Sequence, residues 1–298
     1  MTAPRQVLPG TIYLVTRRCL ERRFFLRPSA ASNRLFLFIL ALAAHRFGIR
    51  LHAYCVLSNH FHLVLTDPRG TLPAFSQYLD SLVARSFNAL LGRSEAFWSI
   101  GSFNAVALET PNDVIAKMAY VLANPVSAGL VEHARDWPGL WSTPERIGGT
   151  QLLARRPRSF FRRTGGLAES VALQLHRPDG FASAADFDRQ LRDALAALEA
   201  GARAKARTER RTFLGAEWAM ALKATARPAT SASVGGLKPK VAARDADSRL
   251  AALRRLSDFV SAYRAALERW RAGVRDILFP AGTYHLRVAH AVRCAAPG

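Results

Sequence analysis

The chain has 298 residues, half of them hydrophobic, which excludes disorder throughout and leaves room for one large domain or two of ordinary size. Its 42 Lys and Arg against 22 Asp and Glu give a formal charge of +20 and a pI near 11.3. That balance argues against an enzyme of small neutral substrates and for a polyanionic partner, nucleic acid or an anionic membrane surface. Residues 1–150 hold 15 basic and 9 acidic residues, a net of +6, whereas residues 151–298 hold 27 and 13, a net of +14. A non-specific grip on phosphates should therefore lean on the second half. Three scattered cysteines, Cys19, Cys55 and Cys294, form no disulfide framework or Cys-x-x-Cys site. With no apolar leader near Met1, they point to a reducing, cytoplasmic setting. The apolar run Leu35 to Ala44 is far too short for a membrane span and is bounded by Arg34 and by His45 and Arg46.

Taken in order, Thr11 to Thr16 is rich in β-formers after Pro9-Gly10 and predicts a first strand. The basic residues Arg17, Arg18, Arg22 and Arg23 follow it, either as a cradle for a nucleic-acid backbone or as a solvated loop. Leu35, Phe38, Leu42 and Phe47 predict a helix over 32–47, capped by Ser32 and ended by Gly48. Leu51 to Leu57 and His60 to Thr66 read as two strands joined by the turn Ser58-Asn59, and Asp67-Pro68-Arg69-Gly70 stops the second. A helix over 72–90 and a strand over 102–108 complete the order strand, helix, strand, strand, helix, strand. That is the split βαβ arrangement of ferredoxin-like folds, an α+β class with an antiparallel sheet. At a strand's period of two, His60 and His62 point to one side and Phe61 and Leu63 to the other, so the imidazoles form a rim suited to a divalent ion or, more blandly, a polar face.

A third helix opens at Pro111, with Asn112 or Asp113 as its cap, and places Tyr120 and Asn124 on one face, four residues apart. Pro125 should end it. Trp137 and Trp141 fit loop-sealing packing better than an exposed stacking patch. In the second half, Arg155, Arg156, Arg158, Arg162 and Arg163 surround Phe160 and Phe161, which suits either a gripped single strand or a loop with two buried rings. Residues 183–211 and 247–274 predict long helices, with a short one near Trp218 and a loop over 226–240. The last stretch, through His285 and His290, reads as a turn and short strand. The chain thus divides into an α+β domain at 1–148 and a basic, mainly helical extension at 149–298 that contacts nucleic acid.

Three segments carry a resemblance: Tyr13-Leu14-Val15-Thr16-Arg17, Ser58-Asn59-His60-Phe61-His62-Leu63-Val64, and Tyr120-Val121-Leu122-Ala123-Asn124-Pro125 continuing to Val131. They resemble the Y1 transposases of the insertion-sequence 200 type, and more closely the repetitive-extragenic-palindrome-associated tyrosine transposases, over about residues 10–145. The resemblance implies a His-hydrophobic-His (HUH) tyrosine nuclease in which His60 and His62 bind Mg²⁺ or Mn²⁺ and Tyr120 attacks DNA. Asn124 stands where the insertion-sequence enzymes have a ligating Gln, and is implied as a further ligand; helix capping is its rival role. The implied activity is a metal-dependent, single-strand-specific DNA endonuclease and strand transferase with a 5′-phosphotyrosine intermediate at hairpin-associated sites. The implied partner is single-stranded DNA with palindromic elements. The chain would act either as a homodimer or with its long second half in place of a partner subunit. The alternative is a non-catalytic regulator, derived from a transposase, that binds hairpin DNA or RNA.

Overall fold

The computed structural model describes residues 4–158, 160–162, 164, 166–229 and 239–297. The first half forms β1 (Thr11–Arg18), α1 (Ala30–Phe47), β2 (Arg50–Val56), β3 (His60–Asp67), α2 (Leu72–Leu90), β4 (Asn104–Leu108) and α3 (Pro111–Ser127). The second adds β5 (Leu152–Arg155), β6 (Ser170–Leu173), α4 (Ala184–Thr208), α5 (Ala216–Ala221), β7 (Val241–Ala242), α6 (Ala246–Arg271), β8 (Leu278–Phe279), α7 (His285–His290) and β9 (Arg293–Cys294). The sheet runs β2-β3-β1-β4-β7, with β1 antiparallel to β3 and β4 and β2 antiparallel to β3. This is the split βαβ order, to which the second half adds β7 parallel to β4.

The pleat decides what each face does. Phe61 turns toward α1 and α2, meeting Phe36 at a ring distance of 5.4 Å, and Phe36 in turn meets Phe87 of α2. His62, its neighbour on β3, faces the other way and meets Tyr120 of α3. One face is therefore closed by α1 and α2. The other is crossed by α3 toward its β2 side and left open toward β1 and β4. The described residues within 152–221 complete this body: Phe161 packs on Phe38 of α1 at 5.1 Å, α4 lies along α3, and the apolar core runs through Val171, Leu175, Phe187, Leu191 and Ala219. A second small cluster, Ala266, Ile277, Phe279 and Leu286, holds α6 to β8 and α7.

Several local expectations are corrected. Ser29, not Ser32, caps α1 by accepting from the Ser32 amide. Thr110 caps α3 in a capping box with Asp113, so neither Asn112 nor Asp113 is the cap itself. The helix passes through Pro125 to Ser127, because its last turn is closed by Ala128 N–H donating to the Asn124 carbonyl at 2.9 Å and Gly129 takes φ +70° beyond it. Residues 285–290 form a helical turn between two short strands. Trp137 and Trp141 donate through Nε1 to the carbonyls of Val56 and Leu122, both at 3.0 Å, which settles their role as packing.

His52 pins β2 to the chain beyond it: Nδ1 donates to the His176 carbonyl and Nε2 accepts from the Thr66 hydroxyl, both at 2.7 Å. Burial brings its pKa down to about 4. The folded value is below the ordinary one, so the unfolded chain protonates first as pH falls; this contribution is intact above about pH 6.5 and is lost between there and about 4. From pH 7 to pH 5 this residue should remove about 2 kcal/mol of stability. Urea unfolding at the two pH values should show this portion in the wild type and not in His52→Gln.

Candidate active site

His60 and His62 sit at the start of β3 with ring centroids 4.8 Å apart. Each has its Nδ1 engaged by a neighbouring side chain that also lines the cleft. His60 Nδ1 donates to Asn59 Oδ1 at 2.7 Å, and Asn59 Nδ2 donates to the Arg22 carbonyl at 3.1 Å. His62 Nδ1 meets Thr16 Oγ1, directly opposite on β1, at 2.8 Å. Among the described residues, His62 Nε2 is buried with no hydrogen-bond partner. An orphaned buried imidazole nitrogen is costly unless something electrophilic meets it. Burial, helped by the positive charges of Arg18 and Arg22, lowers the His60 pKa to about 4; burial, helped by His60, lowers that of His62 well below its usual value. Both rings are therefore neutral at pH 7, the form that ligates metals.

Tyr120 stands over this pair, its ring 5.4 Å from that of His62 and its side chain 40 % exposed to the cleft. Burial raises its pKa, and a side-chain hydrogen bond with Asn124 opposes the rise. Asn124 is thus brought to the tyrosine hydroxyl, one helical turn on, and is buried. One turn before Tyr120, Lys117 Nζ lies 5.8 Å from the phenol ring. The cleft, about 670 Å³, is also lined by Thr16, Arg18, Arg22, Ser102 and Asn104.

The expected arginines separate by strand alternation. Arg18 shares the histidine face with Thr16, and Arg22 joins it across the following turn. Arg17 points to the opposite face, where it pairs with Asp80 of α2 at 3.1 Å and lies over Trp98; burial holds the Asp80 carboxyl up at about 7 despite this cation. Arg23 is held by Glu21 and the Thr225 carbonyl. Arg155, Arg156 and Arg158 line a separate cavity of about 600 Å³ beside Phe161, with Arg156 bonded to the Leu167 carbonyl. Arg162 is exposed, and Arg163 lies outside the described residues. Lys117, Thr16, Asn59 and Asn104 were missed by sequence reasoning. Lys117, at i−3 from Tyr120, had a readable helical signal. Among the described residues, no group of three or more His, Cys, Asp or Glu is placed to hold a metal ion.

No protein-family model and no curated protein matches this chain. Two solved structures are similar in fold. One is a REP-associated tyrosine transposase bound to a REP hairpin, 15% identical, covering 57% of this chain and 96% of that one with a TM-score of 0.42. The other is a candidate transposase of Deinococcus radiodurans R1, 20% identical, covering 36% and 85% with a TM-score of 0.28. At these values they stand as likenesses, and the functional reading rests on this chain's own residues.

Proposed function

We propose that the protein is a transposase-like, metal-dependent endonuclease and strand transferase for single-stranded DNA next to hairpins, with Tyr120 as nucleophile. The observation that carries this reading is the unpartnered Nε2 of buried His62, in one cleft with His60 and in ring contact with Tyr120. Neutral imidazoles with Nδ1 atoms fixed by Asn59 and Thr16 suit a divalent ion, as does the carbonyl of Asn124. His60, His62 and Asn124 would hold Mg²⁺ or Mn²⁺, which when bound supplies charge neutralisation at a phosphate oxygen.

The chain's own residues do the rest. Tyr120 Oη forms a bond to phosphorus as the bond from phosphorus to the 3′ oxygen breaks, and the phenol proton leaves to solvent. The departing oxygen takes a proton to become a 3′-OH, and the downstream strand stays on the enzyme as a 5′-phosphotyrosine. Asn124 can donate its amide N–H to the developing phenolate, and Lys117, Arg18 and Arg22 place positive charge around the phosphate. Attack by the same or another 3′-OH reverses the step, giving strand transfer without an energy source.

A hairpin-bearing DNA oligonucleotide labelled at its 3′ end should become covalently attached to the protein in Mn²⁺ or Mg²⁺ and not in EDTA. Free cleavage without attachment would point to water as nucleophile. Binding without cleavage in any metal would select a hairpin-binding regulator, a reading that the burial-raised pKa of Tyr120 favours. The chain places its own β7 on β4, and Leu175 and Trp141 bridge Leu51 and Cys55 of β2, which supports a monomer over a homodimer. Light scattering should then return a mass near 32.7 kDa.

A further inference from the structure

Ile100 is 99 % exposed, a branched aliphatic side chain standing wholly in water at the rim of the cleft that holds His60, His62 and Tyr120. Its backbone is fixed. Ser102 N–H donates to the Ser99 carbonyl at 3.1 Å, closing a turn whose third residue, Gly101, has φ +63° and so suits glycine. Ser99 N–H and Ser102 Oγ both donate to the carbonyl of Arg18, each at 3.0 Å. Trp98, just before the turn, is buried and donates through Nε1 to the Asp80 carbonyl at 2.9 Å. The turn is therefore anchored at both ends to the strand that supplies a cleft cation.

Single exposed apolar residues are common on protein surfaces and usually do nothing. This one combines a rigid mount, a tip position and a place beside the cations that would hold a phosphate. Apolar side chains of this size act on nucleic acid by entering between adjacent bases and breaking their stack. We infer that Ile100 is a wedge that separates the two nucleobases flanking the scissile phosphate, so that the strand enters the cleft with that step unstacked. This rests on the reading of the cleft as a single-strand DNA site. It adds a specificity element: steps that unstack readily should be preferred at the cut.

The test uses full-length Tyr120→Phe protein, expected to hold DNA without cutting it, and a hairpin oligonucleotide carrying 2-aminopurine at each flank position in turn. Stacking quenches this base, so at one position fluorescence should rise severalfold on binding. The rise should vanish in Tyr120→Phe/Ile100→Ala and return in Tyr120→Phe/Ile100→Leu, with no change in melting temperature, since the side chain stands in solvent. With Tyr120 retained, Ile100→Ala should slow adduct formation about tenfold on a stacked flank and not when the base is replaced by an abasic site. A fluorescence rise in Tyr120→Phe/Ile100→Ala equal to that in Tyr120→Phe, or no rise in any protein, overturns the wedge. Normal adduct formation in Ile100→Ala on every flank overturns it while leaving the nuclease reading intact; an Ile100-dependent rise without any adduct in the wild type supports the wedge and defeats the nuclease.

Discussion

Tyr120→Phe is expected to lower strand cleavage by on the order of 10⁴-fold or more, because Tyr120 supplies the one phenol among the described residues that line the cleft. Binding should survive. The Phe ring keeps the contact with His62 at the centre of the cleft, and the cations Arg18, Arg22 and Lys117 are untouched. The lost hydroxyl costs one hydrogen bond with Asn124, worth about 1 kcal/mol, so the melting temperature should move little. A gel-shift titration beside single-turnover kinetics separates the two effects. Cleavage within tenfold of the wild type would remove Tyr120 from the chemistry.

His62→Ala is expected to weaken Mn²⁺ binding by at least about 100-fold, measured by calorimetry on the DNA-free protein. Thr16→Val should weaken it about tenfold, since Thr16 orients the ring through Nδ1. The graded pair matters because a merely structural histidine would lower stability in both variants without an order of metal affinities. Mn²⁺ affinity equal to the wild type in His62→Ala would mean that the orphaned nitrogen has another purpose.

Much of this site was legible because strand and helix periods are local. The alternation His60-Phe61-His62 put both imidazoles on one face, and the spacing of Tyr120 and Asn124 put them on one side of a helix; the apolar spacing over 72–90 matches α2, Leu72–Leu90. The same alternation, applied to Arg17 and Arg18, would have sent Arg17 to the α2 side, where Asp80 holds it. Other features depend on contacts distant in sequence. Thr16 and Asn59 acquire their roles through pairing across the sheet and through the Arg22 turn. Two-residue β7 has no local signal at all, and exists because the β4 edge accepts it. The caps Ser29 and Thr110 lie outside the apolar runs that define their helices, so periodicity alone missed them.

Locating the covalent bond tests the central claim most directly. After reaction with hairpin DNA in Mn²⁺, nuclease trimming and tryptic digestion, the peptide Met118–Arg135 contains a single tyrosine, Tyr120. It should carry a nucleotide through its 5′ phosphate in the wild type and remain unmodified in His62→Ala. A nucleotide on any other peptide, or cleaved DNA with an unmodified Tyr120 peptide, would contradict a cleavage centre built from His60, His62 and Tyr120.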